Sequence, residues 1–408
     1  MATLEARLSW RSEWARHDDR LIVADSACLG DGRWARAAAE ALKAGMAALD
    51  PSPWLQPAGL EPVDLPASHF RLSVPPVPGR FYPRAAFADL ARGPRDLQPL
   101  RLLEAADGRP RVDPNHPLAG RDVRMELRPA DAEPAPGVRM AELFAGPGLQ
   151  VPPPDPDTAF FRLDGFSRQD ETEDGHFYAQ ARFTHHLDAA CRREIARLHG
   201  RFLAPGARVL DLMGSWVSHL PDDGPPDLHL AGLGMNPEEL AANPRLAERV
   251  TKDLNERAEL PWGDARFDLV VCAASIEYLL RPAQVMAEAR RVLKPGGACV
   301  VTFSDRWFPT KAIRVWSELH PFERLAMVLS LLRGAGFTDL GTETLRGLKR
   351  PEDDKYAGQR PFSDPLFAVW GGRCSKNGAR RRVAAAPRKI HPFCLSFGAA
   401  RAGGGMTV

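Results

Sequence analysis

No CxxC pair and no regular framework joins Cys28, Cys191, Cys272, Cys299, Cys374 and Cys394 of this 408-residue chain. A structural zinc site and a disulfide scaffold are therefore not expected, no metal ligands are assigned, and the spacing fits a reducing compartment. Long apolar runs are also missing. The longest, LVVCAA at 269–274, falls far short of the roughly 20 residues of a bilayer span. The first twenty residues, MATLEARLSWRSEWARHDDR, mix both charges around no apolar core, which argues against a secretory signal, and their acids argue against a transit peptide. A cytoplasmic, soluble protein with no membrane partner is the expectation.

Acidic residues are absent from Cys374 to Val408, where Lys376, Arg380, Arg381, Arg382, Arg388, Lys389 and Arg401 are all basic. Setting that tail aside leaves 47 Lys+Arg against 52 Asp+Glu, a net −5 for the body. The overall +2 thus gives no reason to expect a nucleic-acid-binding face. No aromatic interleaving accompanies the basic tail, so 374–408 reads as a solvated, disordered segment. Proline is what the chain has in excess: 22 of its 38 prolines lie between Pro51 and Pro156. A long helical bundle is excluded there, because an interior proline removes a backbone donor and clashes with the preceding turn.

Two or three domains are expected from the length. Residues 1–50 read as partly helical, with WARAAAEALKAGMAAL (34–49) ending at Asp50-Pro51. RLLEA, Asp107-Gly108 and RPRVD look like a hairpin, and VRMELR (123–128) alternates like a half-buried strand. Domain boundaries follow the composition: 1–130 as a smaller α+β module, 131–158 as a proline-rich linker, and 159–373 as a domain of ordinary composition. In that last part LDAACRREIARLHGRFL (187–203) predicts a helix. Strands are predicted at 207–213, 228–234, 249–254, 267–275, 298–304 and 364–372, alternating with helices at 237–244, 282–297 and 322–337. Continuous apolar strands alternating with helices indicate an α/β fold with a doubly wound, mostly parallel sheet.

Ligands of such sheets bind beyond the carboxyl ends of the strands. Asp211, Met213 and Gly214 stand at the end of the first strand, Asn236 just past the second, Asp253 and Leu254 at the end of the third, and Ser275 at the end of the fourth. An acid at the end of a buried strand needs a partner, and the small residue after it lets the backbone approach a ligand. In order, PGARVLDLM (205–213), KDLNE (252–256), LPWGDARFDLVVCAAS (260–275), VLKPGG (292–297) and VVTFS (300–304) resemble a class I S-adenosylmethionine-dependent methyltransferase of the type-11 kind. That resemblance implies a Rossmann-like sheet holding S-adenosyl-L-methionine, with Asp211 and Gly214 on its amino-acid part. It also implies Asn236 near the ribose, Asp253 and Leu254 near the adenine, and Ser275 beside the cofactor. This sequence departs from the family at Met213-Gly214-Ser215-Trp216, where a glycine-rich loop is usual, and at Asn236, where an acid is usual. No GxGxxG and no Gly-Lys-Ser/Thr follows any strand, so phosphate-loop alternatives fare worse. Methyl transfer needs alignment first and a base only if the acceptor carries a proton. His185, His186 and Tyr278 are the candidates, with Tyr178 and Glu277 behind them, and 176–188 is placed as a lid. The acceptor is expected to be a small molecule. A scaffold with a dead cofactor site is the alternative.

In the front half, Asp113-Pro114-Asn115-His116-Pro117-Leu118-Ala119-Gly120 leads into a strand. This run resembles the closing loop of FKBP-type peptidyl-prolyl isomerases of the SlyD-like branch. The resemblance implies a degenerate isomerase-like module that docks a protein partner, or a chaperone module fused to the methyltransferase fold. The other reading is that Asn115, His116 and Pro117 merely shape a tight loop.

Overall fold

The structure, a computed structural model, describes residues 2–374 apart from 30, 56–58, 73–75, 94–95, 107–108 and 154–156. The Asp107-Gly108 turn, Pro154 to Pro156, Cys394 and the basic run at 375–408 lie outside the described residues. In the front half, β1 (Thr3–Arg11) and β2 (Ala15–Ala24) form a long hairpin, followed by α1 (Gly32–Ala44), β3 (Ala47–Leu49) and α2 (Ser52–Leu55). Then come β4 (Val63–Asp64), β5 (Phe81–Pro83), β6 (Pro99–Ala106), β7 (Arg109–Asp113) and β8 (Val123–Pro129). Strand β1 follows from strict alternation: Leu4, Ala6, Leu8 and Trp10 are buried while Glu5, Arg7 and Ser9 face the other side. Helix α1 starts at Asp31, whose carboxylate accepts from the Arg33 amide at 2.7 Å, and buries Trp34, Ala37, Ala38 and Ala41 at helical spacing. It stops sooner than the expected Leu49. Gly45 takes φ +82° and donates back to the Ala41 carbonyl, a left-handed cap that frees Ala47–Leu49 to pair with β8.

The rear half contains α3 (Asp174–Phe177), α4 (Ala189–Gly200), β9 (Arg208–Leu212), β10 (His229–Gly234), α5 (Pro237–Ala242) and β11 (Glu248–Thr251). These are followed by β12 (Phe267–Ala273), α6 (Pro282–Val292), β13 (Leu293–Phe303), α7 (Arg314–Glu318), α8 (Pro321–Gly334), β14 (Thr338–Arg346) and β15 (Leu366–Gly372). Strand order in the main sheet is β11-β10-β9-β12-β13-β15-β14-β2-β1-β8-β3. The run from β11 to β13 is parallel, as expected, and β15 is antiparallel to both neighbours. The VLKPGG segment differs from the expected helix end. Leu293 already pairs with Phe267, so β13 begins where α6 stops.

Strand β2 adds in parallel to the edge of β14, so the sheet continues without a break from one half into the other. The seam is polar. His17 Nδ1 lies 2.8 Å from Thr342 Oγ1, and the Asp19 carboxylate accepts from Thr344 Oγ1 at 2.9 Å and Gln150 Nε2 at 3.2 Å. On the other face Glu343 accepts from Arg20, Arg197 and Arg201. Where a free spacer was expected at 131–158, the described residues are packed. Met140, Leu143 and Phe144 join the core made by α1 and β1, and Leu149 and Val151 are buried. Met1–Cys374 is one compact unit. A second sheet, β4-β7-β6-β5, covers a small cluster of Leu65, Phe87, Leu100, Leu102 and Val112. The Asn-His-Pro loop is structural in its contacts. Asn115 Oδ1 accepts the Gly59 and Leu60 amides, and buried His116 links the Phe144 carbonyl and the Leu118 amide.

Candidate cofactor site

The crevice opens where strand order reverses, between β9 and β12. Both strands end in a non-glycine residue with left-handed backbone, Met213 at φ 59° and Ala274 at φ 49°. Strain of this kind persists only where the surroundings hold it. Here the Gly214 amide donates to the Leu233 carbonyl at 2.8 Å and the Ala274 amide to the Thr302 carbonyl at 2.8 Å. Two joined hollows, of about 610 and about 130 Å³, share Met213, Gly214, Ser215, Ala274, Ser275 and Tyr278.

Asp211 lies at the base, 4% exposed, with Ser218 Oγ donating to it at 2.6 Å. Ser218 is held in turn by Asn243 Nδ2 at 3.0 Å. Burial pushes the Asp211 carboxyl up to about 6, against the Ser218 hydrogen bond and distant Arg245. Gly214 packs on that carboxylate so closely that a Cβ would lie 2.7 Å from it. At Gly234 a Cβ would lie 2.2 Å from the Gly214 carbonyl oxygen, so the β10 terminus carries no side chain into the crevice. Ser275 Oγ donates to the Ala273 carbonyl at 2.9 Å and lines both hollows. Asp253 and buried Leu254 line the smaller one, with Asp253 Oδ1 accepting the Asn255 amide at 2.7 Å.

Asn236 is occupied differently from the expectation. Its Oδ1 caps α5 by accepting the Glu238 and Glu239 amides, and its Nδ2 donates to the Tyr178 and Ala179 carbonyls. All of its amide capacity therefore goes to structure. Glu239, one turn on, faces the smaller hollow, accepting from Ser215 Oγ at 2.5 Å and the Arg182 amide at 2.7 Å. An acid in the first turn of a helix that opens at the crevice was the signal for it.

Residues 174–186 lie along the mouth. Asp174 anchors them, taking Arg168 at 2.7 Å, Asn255 Nδ2 at 2.9 Å and the fully buried Lys311 at 3.3 Å. His185 stacks on Trp216 with ring centres 4.7 Å apart, and His186 meets Phe308 edge-on at 5.0 Å. Desolvation lowers the pKa of both, so neutral imidazoles face the larger hollow. Burial raises the phenols of both Tyr278 and Tyr178, and the Tyr278 hydroxyl already accepts the Phe308 amide at 2.9 Å, which disfavours either as a base. Glu277 is buried under the crevice, its carboxyl pushed up to about 7 by burial, and lines neither hollow. Arg306, Lys355 and Tyr356 complete the larger hollow. Arg306 could have been found by reading past the fifth strand as was done for the other four. Among the described residues no cluster of three or more metal-ligating side chains occurs, and no helix is long and apolar enough to cross a membrane.

A crevice over the carboxyl ends of a parallel sheet, with one buried acid at its base, is where α/β sheets of this kind bind small-molecule ligands. Residues 213–301 match the family model described as a methyltransferase domain. Among curated proteins the chain is 28% identical over 139 residues to a ubiquinone/menaquinone biosynthesis C-methyltransferase of Laribacter hongkongensis, covering 31% of this chain and 54% of that one. It is 34% identical over 93 residues to the mitochondrial 2-methoxy-6-polyprenyl-1,4-benzoquinol methylase of Danio rerio, covering 21% and 28%. The chain thus spans about half the length of the first relative. Among solved structures, an S-adenosylmethionine-dependent methyltransferase from Aquifex aeolicus aligns with TM-score 0.30 at 16% identity, over 46% of this chain and 94% of that one. Phosphoethanolamine N-methyltransferase 2 of Haemonchus contortus, in complex with S-adenosyl-L-methionine, aligns with TM-score 0.31 at 12% identity, over 45% and 52%.

Proposed function

We propose that this protein is an S-adenosylmethionine-dependent methyltransferase. The observation that carries the reading is the crevice built on Asp211 and Gly214 at the β9/β12 reversal, in a stretch that matches the methyltransferase-domain model. The crevice suits an elongated group with a cationic end. Gly214 and Gly234 let the loop after β9 pack tightly on Asp211 and on the end of β10, and among the described residues Asp211 is the one carboxylate lining the larger hollow. Asp211 and Gly214 would hold the amino-acid part of the cofactor, and Asp253 and Leu254 the adenine. Ser275 would lie beside it. Glu239 would take the ribose role expected of Asn236, since its carboxylate keeps free lone pairs toward the smaller hollow. S-adenosylmethionine supplies an electrophilic methyl group on a sulfonium. The neutral His185 and His186 can each take a proton at a ring nitrogen, which an acceptor hydroxyl or amine requires.

The front half is read as a structural extension of the sheet that retains an FKBP-like closing loop. The contacts of Asn115 and His116 support the loop-shaping role over isomerase chemistry. Calorimetric titration of the full chain with S-adenosylmethionine and S-adenosylhomocysteine tests the main reading. Binding in the micromolar range is expected. Absence of binding below millimolar for both ligands would favour the scaffold alternative instead.

A further inference from the structure

The walls of the larger hollow differ from its floor. Arg182, Arg306 and Lys355 line it, and Asp211 is the single carboxylate among its described lining residues. Arg182 spends its guanidinium on the Phe177 carbonyl and ring, and Lys355 sits 5.1 Å from the Tyr356 ring centre; among the described residues neither forms an ion pair with a carboxylate. Arg306 lies 4.5 Å over the same ring. Its carboxylate neighbours are Asp305, next to it in the chain, and Asp364, 3.9 Å away and already held by Arg350. Among the described residues Arg182 and Lys355 thus have no carboxylate partner and Arg306 has only shared ones, a local excess of positive charge inside a body of net −5. The three lining histidines add no charge near neutral pH, since burial lowers each of them. Trp216, Tyr278, Trp307, Phe308 and Tyr356 give the hollow an aromatic side, alongside aliphatic and small residues such as Leu187, Val217 and Ser275.

We propose that the methyl acceptor is a small aromatic anion, a planar ring carrying a carboxylate or similar group, bound between these aromatic faces with its charge on Arg306 and Lys355. The proposal rests on the methyltransferase reading and refines it to a substrate class. An aliphatic anion would leave the aromatic faces unmatched, and a cationic acceptor would meet three like charges. A macromolecular strand does not suit a hollow of about 610 Å³ shared with the cofactor.

The test is titration of the full chain, loaded with S-adenosylhomocysteine, with 3,4-dihydroxybenzoate, catechol, tyramine and succinate. The benzoate is expected to bind at least about tenfold tighter than the other three, as a charge-assisted contact contributes. Arg306→Gln and Lys355→Gln together should remove that advantage while catechol affinity stays the same. Equal binding of catechol, preference for tyramine or succinate, or an unchanged benzoate affinity in the double variant overturns the proposal. The titration with S-adenosylhomocysteine that precedes each run separates the two levels. If it binds and the benzoate does not, the acceptor class alone falls. If it does not bind, the methyltransferase reading falls with it.

Discussion

Replacing Asp211 by asparagine separates what this carboxylate costs the fold from what it contributes to the site. The residue is buried, and its carboxyl is pushed up to about 6 by loss of water. An unfolded aspartate titrates near 4, so the difference corresponds to about 3 kcal/mol. Folded Asp211 keeps its proton to a higher pH than the unfolded chain does. Folding therefore takes up a proton between about pH 4 and pH 6, and this group's contribution to stability falls over that window as pH rises, then stays flat. Asparagine does not titrate and can still accept from Ser218. The stability of Asp211→Asn relative to wild type should accordingly rise by about 2 kcal/mol between pH 4 and pH 8, since the unfolded carboxyl is already half ionised at pH 4. Urea unfolding at both pH values reads it. The same protein should bind S-adenosylhomocysteine at least about tenfold more weakly at pH 7.5, the loss of one charge-assisted contact. In wild type, affinity should fall by about tenfold from pH 7 to pH 5, as the free carboxylate is protonated. A stability difference that does not change with pH, together with cofactor affinity unchanged in the variant, refutes the reasoning on both counts.

Two further substitutions probe the crevice and the packing beneath it. Gly234→Ala places a methyl where a Cβ would be 2.2 Å from the Gly214 carbonyl. Displacing that loop should lower stability by about 1–3 kcal/mol and weaken S-adenosylhomocysteine in the same calorimetric titration; unchanged affinity would show that the loop does not shape the site. Phe144→Ala removes a ring that is 6% exposed and stacks against Trp54 at 6.0 Å. A loss of about 3–5 kcal/mol in urea unfolding is expected if the segment around 140–144 is core, whereas a spacer would leave the midpoint where it is.

Strands β9, β10 and β12 were legible because they are buried on both faces and read as continuous apolar runs between Gly and Pro punctuation; the FDLVVCA stretch of β12 is the clearest case. The positions at the ends of the expected strands then brought Asp211, Gly214, Asp253 and Ser275 to one crevice without further information. Asn236 does line the smaller hollow, but its amide is taken up by the helix cap, since one residue type serves two purposes. An amide that can bond a diol can equally cap a helix, and Pro237 at the first helical position favours the cap. Lys355 and Tyr356 could not be found by period or by strand end, since they sit in the long connection between β14 and β15.

Strands β2 and β14 were missed for a deeper reason. Apolar periodicity identifies a strand only if its inward residues meet an apolar partner. The inward residues of β2 include His17 and Asp19, both almost completely buried, and they are polar because Thr342, Thr344 and Gln150 face them. Burial pushes Asp19 up to about 7 and His17 down to about 3. Neither group gains by leaving water on its own account, so each is tolerated only with its hydrogen-bond partners in place. Those partners lie more than 300 residues away in sequence for the Thr342 and Thr344 contacts. A pattern written half on one strand and half on another is invisible in either alone. It also means that the two halves specify each other. β2 docked against any apolar edge would cost the imidazole and the carboxyl one hydrogen-bond partner each, while β14 offers two hydroxyls in register. The polar seam therefore sets which edge the front half joins, and with it the single sheet on which the crevice is built.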